Sequence, residues 1–380
     1  KGELAGALNI TASHNPYEWS GIKFTPSWGG PALPETTKAI EEGIKEATEI
    51  RFASRRKAEV SRLWHQADPN AAYLADLGAI VRLDVLRKSP RHAAVDVFHG
   101  TGRGLLDRAL SEAGWQVQVL HADPDAYFGH VRPDPSGEAI SSLAAVVRGG
   151  QYVLGLATDP DADRFGVVDD DGTVFYPNDI LALLLDYLAE TRGWRGGSVC
   201  RSVATTHLLD RVARHHNLSV IETPVGFKYV GELLSAGKIV FGGEESGGLT
   251  LQGHLPEKDG IAACLLVAEM VAGRGASLRE MLAALFAKVG PLYNKRRDFE
   301  FPAEDLQGLR GRLAAVAGRL ADRRIEDIVR TDGYKYLLEG GAWVLLRPSG
   351  TEPVVRAYAE AGSPAEVDEL LQAASGLLGG

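Results

Sequence analysis

The sequence predicts an α/β protein made of repeated α/β units, followed by a smaller α+β domain. First, β-prone runs alternate with helical runs along most of the chain, as in residues 92–122, where strand, glycine turn, helix and strand follow one another. Second, after Pro291 short strands alternate with two helical stretches. The 380 residues, 45% hydrophobic and 24% charged, suffice for roughly two to four domains.

Each element is predicted from its local pattern. A strand before Thr11 leads to a helix at about 34–50, which has Ile40 and Ile44 on one face. A helix is also predicted at 178–190, with Asn178 as its N-cap. The remaining predictions are a helix at 69–86, a strand at 152–158, a hairpin at 165–176, a strand–helix–strand unit at 197–224, strands at 238–248, 296–302, 343–350 and 354–361, and helices at 306–320 and 364–378.

Composition narrows the class of function. The net charge of -9 and the lack of a long basic run argue against a nucleic-acid partner. The apolar runs are too short to span a bilayer, and no signal peptide is visible, so no membrane partner is predicted. Cys200 and Cys264 lie in separate apolar runs, which favours reduced thiols in a cytoplasmic protein. A monomer or homodimer is expected. Because Lys1 runs straight into a strand, we expect a further N-terminal segment.

The first of four polar loops, TASHNP at residues 11–16, follows a predicted strand. Loops at strand ends commonly carry function. Ser13 lies beside His14, and Lys23 follows the loop. A hydrolase serine needs a base and an orienting acid, and the sequence shows neither a G-x-S-x-G motif nor an acid close to Ser13. An ordinary Ser/Asn/Pro turn is the alternative interpretation.

The second loop, ATDPDADRFG, has Asp159, Asp161 and Asp163 at alternate positions. In an extended chain alternate side chains point to one side, and three close carboxylates repel one another unless a cation joins them. Oxygen ligands of this kind select Mg²⁺ or Ca²⁺. Arg164 favours a metal that also meets an anionic ligand, and an EF-hand is disfavoured because a strand resumes at Phe165. A solvated acidic turn is the alternative.

The other two loops are rich in glycine, hydroxyl and charge. In GGEESGG, at residues 242–248, Glu244 and Ser246 sit in a closely approachable backbone, and a carboxylate with a hydroxyl suits sugar hydroxyls. In RPSGTEP, at residues 347–353, Arg347 with two hydroxyls and a glycine makes a phosphate cradle. Taken alone, each loop is equally consistent with a turn.

Taken together and in this order, TASHNP, DPDADR, GEESGG and RPSGTEP resemble the phosphoserine, metal, sugar and phosphate loops of the α-D-phosphohexomutase family, which contains the phosphoglucomutases and phosphomannomutases. The resemblance covers essentially the whole chain and is greatest to the phosphoglucomutase branch. It implies three related α/β domains with mixed sheets and a smaller C-terminal α+β domain around a central cleft. The expected boundaries are 1–67 (the C-terminal part of domain I), 68–172 (domain II), 173–288 (domain III) and 289–380 (domain IV).

The resemblance implies an enzyme that interconverts hexose 1-phosphate and hexose 6-phosphate, with glucose as the expected sugar, through a phosphoserine and a bound 1,6-bisphosphate. Its implied cofactors are Mg²⁺ and glucose 1,6-bisphosphate, the latter as activator and intermediate, and its partner is a small sugar phosphate. The implied catalytic residues are Ser13, His14, Lys23 and Arg164. The implied metal ligands are Ser13, Asp159, Asp161 and Asp163. The implied substrate-binding residues are Gly226, Lys228, Glu244, Ser246, His254 and Lys258. The implied phosphate-binding residues are Arg347, Ser349, Gly350 and Thr351.

Two departures from the family pattern leave alternatives open. Dual-specificity relatives often follow the sugar-loop serine with Gly-His, whereas this chain has Gly247 and Gly248, so His254 and Lys258 are expected to supply the polar function. An arginine-bearing segment precedes the serine loop in the family, and nothing here corresponds to it. Phosphomannomutase, phosphoglucosamine mutase and a noncatalytic sugar-phosphate-binding paralogue are the alternative functions. The retained Ser13 and the three aspartates argue against the last of these.

Overall fold

The first described segment is a small hairpin with helices beside it. The structure is a computed structural model that describes residues 4–61, 64–302, 305–349 and 353–378. Strands β1 (Gly6–Ile10) and β2 (Ile22–Pro26) pair antiparallel, and α1 (Pro34–Glu46) and α2 (Arg55–Val60) follow. The predicted first helix therefore ends a turn earlier than expected. Leu8, Ile10 and Ile22 are 70–72% exposed, so one face of this hairpin is apolar and uncovered within the described residues.

The second unit is a five-stranded mixed sheet in the order β4-β3-β5-β6-β7, with β4, β3 and β5 parallel. Its elements are α3 (Asn70–Leu77), α4 (Leu83–Lys88), β3 (His92–Asp96), α5 (Leu106–Glu112), β4 (Gln116–Leu120), α6 (Ser141–Gly149), β5 (Leu154–Thr158), β6 (Phe165–Asp169) and β7 (Val174–Phe175). The single helix predicted at 69–86 is wrong. The chain breaks after Leu77, and the freed Arg82 N–H donates to the buried Glu269 carboxylate at 2.8 Å.

The third unit repeats this plan with a four-stranded mixed sheet in the order β11-β10-β8-β9. Its elements are α7 (Pro177–Thr191), β8 (Ser198–Ser202), α8 (Leu208–His215), β9 (Ser219–Thr223), α9 (Phe227–Ser235), β10 (Phe241–Glu244), β11 (Gly248–Leu251), α10 (Gly260–Arg274) and α11 (Leu278–Val289). Asn178 is not the N-cap of α7, as predicted, because the helix begins at Pro177 and Tyr176 precedes it. Its amide instead bridges Thr206 and Asn294.

One hydrophobic core joins the second and third units. It runs from Leu77 to Leu292 and includes α7 and α10 almost entirely. Helix α10 packs against α4, β5 and β6 of the second unit as well as against α7 and β11 of its own. The buried Glu269 on α10 accepts hydrogen bonds at 2.8 Å from Tyr187, Arg192 and Arg82. The two sheets are therefore held by shared apolar packing and by a satisfied buried carboxylate.

The C-terminal unit is an antiparallel six-stranded sheet in the order β12-β17-β16-β15-β14-β13, with its own core under α12 and α13. Its elements are β12 (Tyr293–Glu300), α12 (Leu306–Ala315), β13 (Arg319–Leu320), β14 (Arg323–Val329), β15 (Tyr334–Leu338), β16 (Trp343–Pro348), β17 (Val354–Ala361) and α13 (Pro364–Leu378). The predicted class, mixed α/β units followed by a smaller α+β domain, is confirmed.

The C-terminal sheet meets the third unit through a buried polar junction. Lys335 is fully buried, and its Nζ lies 2.8 Å from both the Val203 carbonyl and His207 Nε2. Glu360, also fully buried, accepts from the His207 amide at 2.9 Å and from the Trp343 indole at 2.8 Å. Burial and the nearby Arg201 lower the pKa of Lys335 to about 8.

Across the described ranges, no single helix is both long enough and apolar enough to cross a membrane. One pair, α10 with α11, reaches the required length and composition only together, and it is bent by 81°.

Candidate active site

The serine loop is a short turn that leaves β1 and returns toward β2. The Thr11 N–H donates to the Gly21 carbonyl at 3.0 Å and closes the base of the loop. The Ser13 amide donates to the Thr11 hydroxyl at 2.8 Å, and Ser13 has a φ of +55°. That left-handed conformation is uncommon for serine and is held here by the Thr11 hydroxyl. It presents the Ser13 hydroxyl to His14 Nδ1 at 3.2 Å and to Asp159 Oδ2 at 3.3 Å.

The acidic loop between β5 and β6 brings its carboxylates together by a turn. The predicted extended conformation is not found, since Ala162 has a φ of +58°. Asp159 Oδ1 accepts the amide hydrogens of Asp163 and Arg164, both at 2.9 Å, so the loop folds around this side chain. The convergence that the sequence predicted is present, and turn geometry produces it.

The three carboxylates form a cluster suited to a hard cation. One ligand oxygen from each of Asp159, Asp161 and Asp163 lies within 4.8 Å of the others. Asp161 Oδ1 and Asp163 Oδ1 are buried without a hydrogen-bond partner in the described part of the chain. Burial and the charges of Asp163 and Asp161 raise the pKa of Asp159 well above its ordinary range. Buried acceptors without donors, in an all-oxygen set, fit a divalent cation.

Two lysines from different units also reach this cluster. Lys23, on β2, donates to Asp161 at 2.9 Å and to Asp163 at 3.2 Å. Lys258, just before α10, donates to Asp163 at 2.5 Å. Burial opposes the negative charge of Asp163, but Lys258 and Lys23 hold its pKa below its ordinary value. The predicted catalytic lysine and one predicted sugar residue therefore both lie at the carboxylates.

Positive charge surrounds the serine without protonating His14. Burial and the Arg164 guanidinium lower the pKa of His14 to about 4, so its imidazole is neutral at neutral pH. Arg164 Nε is buried and has no hydrogen-bond partner among the residues that the structure describes. A bound anion would satisfy this donor. Of the predicted catalytic set, Ser13 and Lys23 thus contact the aspartates of the acidic loop, His14 contacts Ser13, and Arg164 lies within electrostatic range of His14.

The third loop brings its glutamate against the start of α9. Glu244 is 4% exposed, and its Oε1 accepts the Gly226 amide at 2.7 Å. Burial and the neighbouring Glu245 raise the pKa of Glu244 to about 7. Ser246 is half-buried at the tip of the loop, and the Lys228 ammonium lies 5.2 Å from the centre of the Tyr229 ring.

His254 contacts the aspartate that caps α10. Its Nε2 lies 2.8 Å from Asp259 Oδ2, and Asp259 caps α10 through the Ala262 amide at 2.8 Å. The Tyr73 hydroxyl donates to the same carboxylate at 2.9 Å. His254 therefore belongs to a helix-capping network, and its predicted contact with a sugar stays a prediction.

The fourth loop is described only in part. Arg347 Nε donates to Asp332 Oδ2 at 2.8 Å, and the Ser349 amide donates to the Val354 carbonyl at 2.9 Å across the loop. Gly350 and Thr351, both predicted phosphate ligands, lie outside the described residues. Burial, followed by the charge of Glu245, raises the pKa of Tyr358 above its ordinary range, while Arg347 opposes this shift.

Several residues of the site were not predicted from the motifs. Thr11 donates to Asp161 Oδ2 at 2.9 Å as well as supporting Ser13, and its place in TASHNP was its only signal. Asp134 and Arg132, in a loop of the second unit, act with opposite sign on the pKa of His14. Glu245 Oε2 is a buried acceptor with no partner within the described ranges. The position of Glu245 beside Glu244 was visible in the sequence, whereas nothing local marked the other two.

Comparisons with known proteins match residues in all four units of the chain. Four family models, described as phosphoglucomutase/phosphomannomutase alpha/beta/alpha domains I, II and III and C-terminal domain, match residues 1–51, 71–172, 176–289 and 301–376. A phosphoglucomutase/phosphomannomutase of Thermococcus kodakarensis is 30% identical over 97% of this chain and 77% of its own length. A phosphoglucosamine mutase of Frankia alni is 33% identical over 96% of this chain and 74% of its own. A solved structure from Thermus thermophilus, classed with the phosphomannomutases, shares 33% identity with a TM-score of 0.84 over 100% of this chain and 79% of that one.

Proposed function

Because the chain belongs to the phosphoglucomutase/phosphomannomutase family, we propose that it is a phosphohexomutase that interconverts hexose 1-phosphate and hexose 6-phosphate through a phosphoserine at Ser13. One observation carries the proposal. The Ser13 hydroxyl lies 3.3 Å from Asp159, at a carboxylate cluster that still has two buried unpaired oxygens within the described residues. A noncatalytic binder has no need of a reactive hydroxyl at a cation site.

Asp159, Asp161 and Asp163 are the residues that would hold Mg²⁺, together with an oxygen of the phosphoserine. Their donor set is all oxygen, and Asp161 Oδ1 and Asp163 Oδ1 are buried without partners in the described part of the chain. When bound, Mg²⁺ supplies charge neutralisation to the phosphoryl group. Lys23 and Lys258 already offset part of the carboxylate charge.

The proposed reaction has two phosphoryl transfers. In the first, the bond from phosphorus to Ser13 Oγ breaks and a bond from phosphorus to the free hydroxyl oxygen of hexose 1-phosphate forms. The sugar hydroxyl loses its proton, and Ser13 Oγ gains one. The product is a bound 1,6-bisphosphate, which for glucose is also the activator. After it turns around, its other phosphoryl returns to Ser13 and hexose 6-phosphate leaves. Phosphoryl transfer depends mainly on positioning and charge, which Arg164 and Lys23 provide.

The substrate residues of the proposal lie in two loops. Glu244 and Ser246, backed by Gly226 and Lys228, would hold sugar hydroxyls, and Arg347 with Ser349 would hold the phosphate that is not reacting. We propose glucose as the sugar because the sequence of residues 242–258 resembles the phosphoglucomutase branch of the family. Mannose and glucosamine are the alternatives, and turnover of the three 1-phosphates by one preparation would rank them.

The test of the proposed function is the mass of the intact protein with and without turnover. After incubation with glucose 1,6-bisphosphate, the wild-type chain should gain one phosphoryl group, and Ser13→Ala should gain none and lose mutase activity. Ser111→Ala is the matched control, because Ser111 is exposed on α5, in the unit that carries the acidic loop. Near-normal turnover by Ser13→Ala, or a phosphoryl group retained in it, would overturn the proposal.

A further inference from the structure

A single oxygen of Asp332 connects two of the loops described above. Asp332 Oδ2 accepts the Arg347 Nε–H at 2.8 Å and the Val225 amide at 3.1 Å. The next amide along the chain, that of Gly226, donates to Glu244 Oε1 at 2.7 Å. One carboxylate therefore joins an arginine of the C-terminal sheet to the turn behind Glu244 in the third unit. Asp332 lies in none of the four loops that carry family motifs.

The position of Asp332 is fixed by its neighbours in the chain. It lies in the turn between β14 and β15, and Gly333 follows with a φ of +94°. A Cβ at Gly333 would lie 2.6 Å from the Leu346 carbonyl oxygen, so this turn sits directly on β16 beside Arg347. Lys335, two residues beyond Gly333, is fully buried at the junction with the third unit. Asp332 is thus held between two anchored points, and it is only partly exposed, at 26% of its side chain.

We propose that Asp332 is a positioning residue that orients Arg347 for the phosphate of the substrate and couples that arginine to the turn supporting Glu244. This inference rests on the proposed function, in which Arg347 meets the phosphate and Glu244 meets the sugar. A contact through Nε leaves the two Nη groups as the part of the guanidinium that would meet a phosphate in a bidentate manner. Arginine carries large rotamer entropy, and fixing its side chain in advance reduces what binding must order.

The coupling has a physical consequence for the two ligand groups. If the hydrogen bond from Arg347 to Asp332 Oδ2 changes when the arginine engages phosphate, the bond that the same oxygen accepts from the Val225 amide changes too. If Glu244 shifts when a sugar hydroxyl binds, the Gly226 amide beside Val225 shifts too. Contacts to phosphate and to sugar are therefore expected to be nonadditive, as they are for residues in one hydrogen-bond network.

The experiment compares Asp332→Ala, Asp332→Asn, Arg347→Ala and the double variant Asp332→Ala/Arg347→Ala. Both hydrogen bonds end on one oxygen, so the amide oxygen of asparagine can accept both, whereas alanine accepts neither. The control is Asp368→Ala, which removes an exposed ion pair with Lys295 in the same domain. Each variant is assayed for the affinity of glucose 1-phosphate and of inorganic phosphate by calorimetry, for KM and kcat, for phosphoserine by intact mass, and for Tm.

We expect Asp332→Ala to weaken glucose 1-phosphate binding by about tenfold or more, to raise KM more than it lowers kcat, and to leave phosphoserine and Tm close to wild type. Asp332→Asn should recover most of the affinity. In the Arg347→Ala background the Asp332 substitution should add little.

Three outcomes would overturn the inference. They are full additivity in the double variant, an asparagine variant as weak as the alanine variant, and a loss of affinity that merely follows a lowered Tm. The proposed function is judged separately. A wild-type protein without mutase turnover would refute that function, while the two calorimetric affinities would still decide whether Asp332 acts through Arg347.

Discussion

Ser13 occupies a left-handed backbone conformation, with a φ of +55°, although it has a Cβ and a polar side chain. Such a conformation costs about 1–3 kcal/mol and persists where neighbouring contacts enforce it. Here the contacts are the Thr11 hydroxyl, bonded to the Ser13 amide, and Asp161, bonded to that hydroxyl. The carboxylate cluster and the serine backbone are therefore linked through Thr11, and a change at either one is expected to affect the other.

At Glu244 the structure predicts a pH dependence. Burial and Glu245 raise its pKa to about 7, so between its ordinary value and about 7 the folded state binds a proton that the unfolded state releases. The contribution of Glu244 to stability is therefore full at acid pH and falls as the pH rises through this window. Relative to Glu244→Gln, the wild type should lose Tm between about pH 5 and about pH 7. An identical pH profile of the two proteins would contradict this.

The same group should affect ligand binding in the opposite direction. A carboxylate accepts from sugar hydroxyls better than a carboxylic acid does. The affinity for glucose 1-phosphate should therefore rise between about pH 6 and about pH 8 more in the wild type than in Glu244→Gln, which also controls for ionisation of the ligand phosphate. Calorimetric titration of both proteins across this range measures the effect, and parallel curves would refute it.

Single residues differ in how far the sequence reveals them. Asp159, Asp161 and Asp163 were predicted because three acids at alternate positions indicate a cation site, and Ser13 because its loop resembles a known one. Asp332 was not found, since a lone Asp-Gly predicts only a turn. Its partners Val225 and Arg347 are 107 and 15 residues away, and no local pattern encodes such separations.

At the scale of elements, the acidic loop is a turn clamped at both sides. Asp159 accepts two amides from inside the loop, and the Gly260 amide of α10 donates to the Ala162 carbonyl at 2.9 Å. The Phe165 amide donates to the Gly247 carbonyl at 3.3 Å. The acidic loop is therefore held in place by hydrogen bonds with α10 and with the third loop, as well as by its own strands β5 and β6.

Removal of the cation should therefore loosen this loop. In EDTA the wild type should lose turnover and Tm, and added Mg²⁺ should restore both, because buried unpaired acceptors of the described residues lose their partner. Asp161→Asn should respond weakly to Mg²⁺. Asp170→Asn is the control, since Asp170 belongs to the other acidic group, at the hairpin turn, and is exposed. A Mg²⁺ response that is equal in the two variants would argue against the assigned site.

At Gly260, helix α10 contacts the acidic loop so closely that a larger residue is predicted to disturb the loop. A Cβ at Gly260 would lie 2.1 Å from the Arg164 carbonyl oxygen, a distance that only a backbone shift can relieve. Gly260→Ala should lower Tm and weaken the Mg²⁺ response. Gly311→Ala, in α12, has open space around the added methyl group and should be neutral or stabilising by about 0.5–1 kcal/mol. Thermal unfolding with and without Mg²⁺ measures both, and equal behaviour would refute the clamp.

Helices and strands were predicted correctly where their local sequence pattern is strong. The βαβ unit and the hairpin at 165–176 were found because their turns are marked by glycine. The break between α3 and α4 was missed because apolar periodicity continues through Gly78, while Glu269, which accepts the Arg82 amide at the start of α4, is remote in sequence. The helix predicted at 306–320 is wrong at its end, because α12 stops at Ala315 and Arg319–Leu320 is strand β13. Strands β14 and β15 were also missed, since β14 is largely charged and only sheet pairing reveals it and its neighbours.

At the scale of the whole molecule, the C-terminal domain docks through charge as well as through apolar contact. Lys335 Nζ is held by the Val203 carbonyl and by His207, and it lies 4.2 Å from the centre of the Trp343 ring. An isolated ammonium would not be buried in this way without such partners. This junction sets where β16 ends relative to the third unit, and Arg347 lies at that end.

Replacing Lys335 should therefore weaken the docking of the C-terminal domain onto the third unit while each of them still folds. Lys335→Met keeps the volume but leaves the Val203 carbonyl without this donor, while Glu222 keeps Arg201, so the free energy of unfolding should fall by about 1–3 kcal/mol. Urea unfolding should lose cooperativity between the C-terminal domain and the rest, and KM for the sugar phosphate should rise. Lys295→Met, whose side chain is 54% exposed in an ion pair with Asp368, is the control. Equal stability of the two variants would show that the junction contributes little.

The core shared by the second and third units bears on how this protein can be recombined with its relatives. The family models divide the chain between residues 172 and 176, yet α10, on the far side of that boundary, packs against α4, β5 and β6 on the near side. A chimaera that imports residues 176–289 would place the α10 of a relative against the native sheet of the second unit. The imported counterpart of Glu269 would then have to accept the native Arg82 amide. The C-terminal domain has a core of its own and shares with the third unit a smaller apolar cluster and the polar junction at Lys335 and Glu360, so fewer contacts would have to be matched there. Productive crossovers between homologues should therefore cluster near residue 290 and be rare near residue 174.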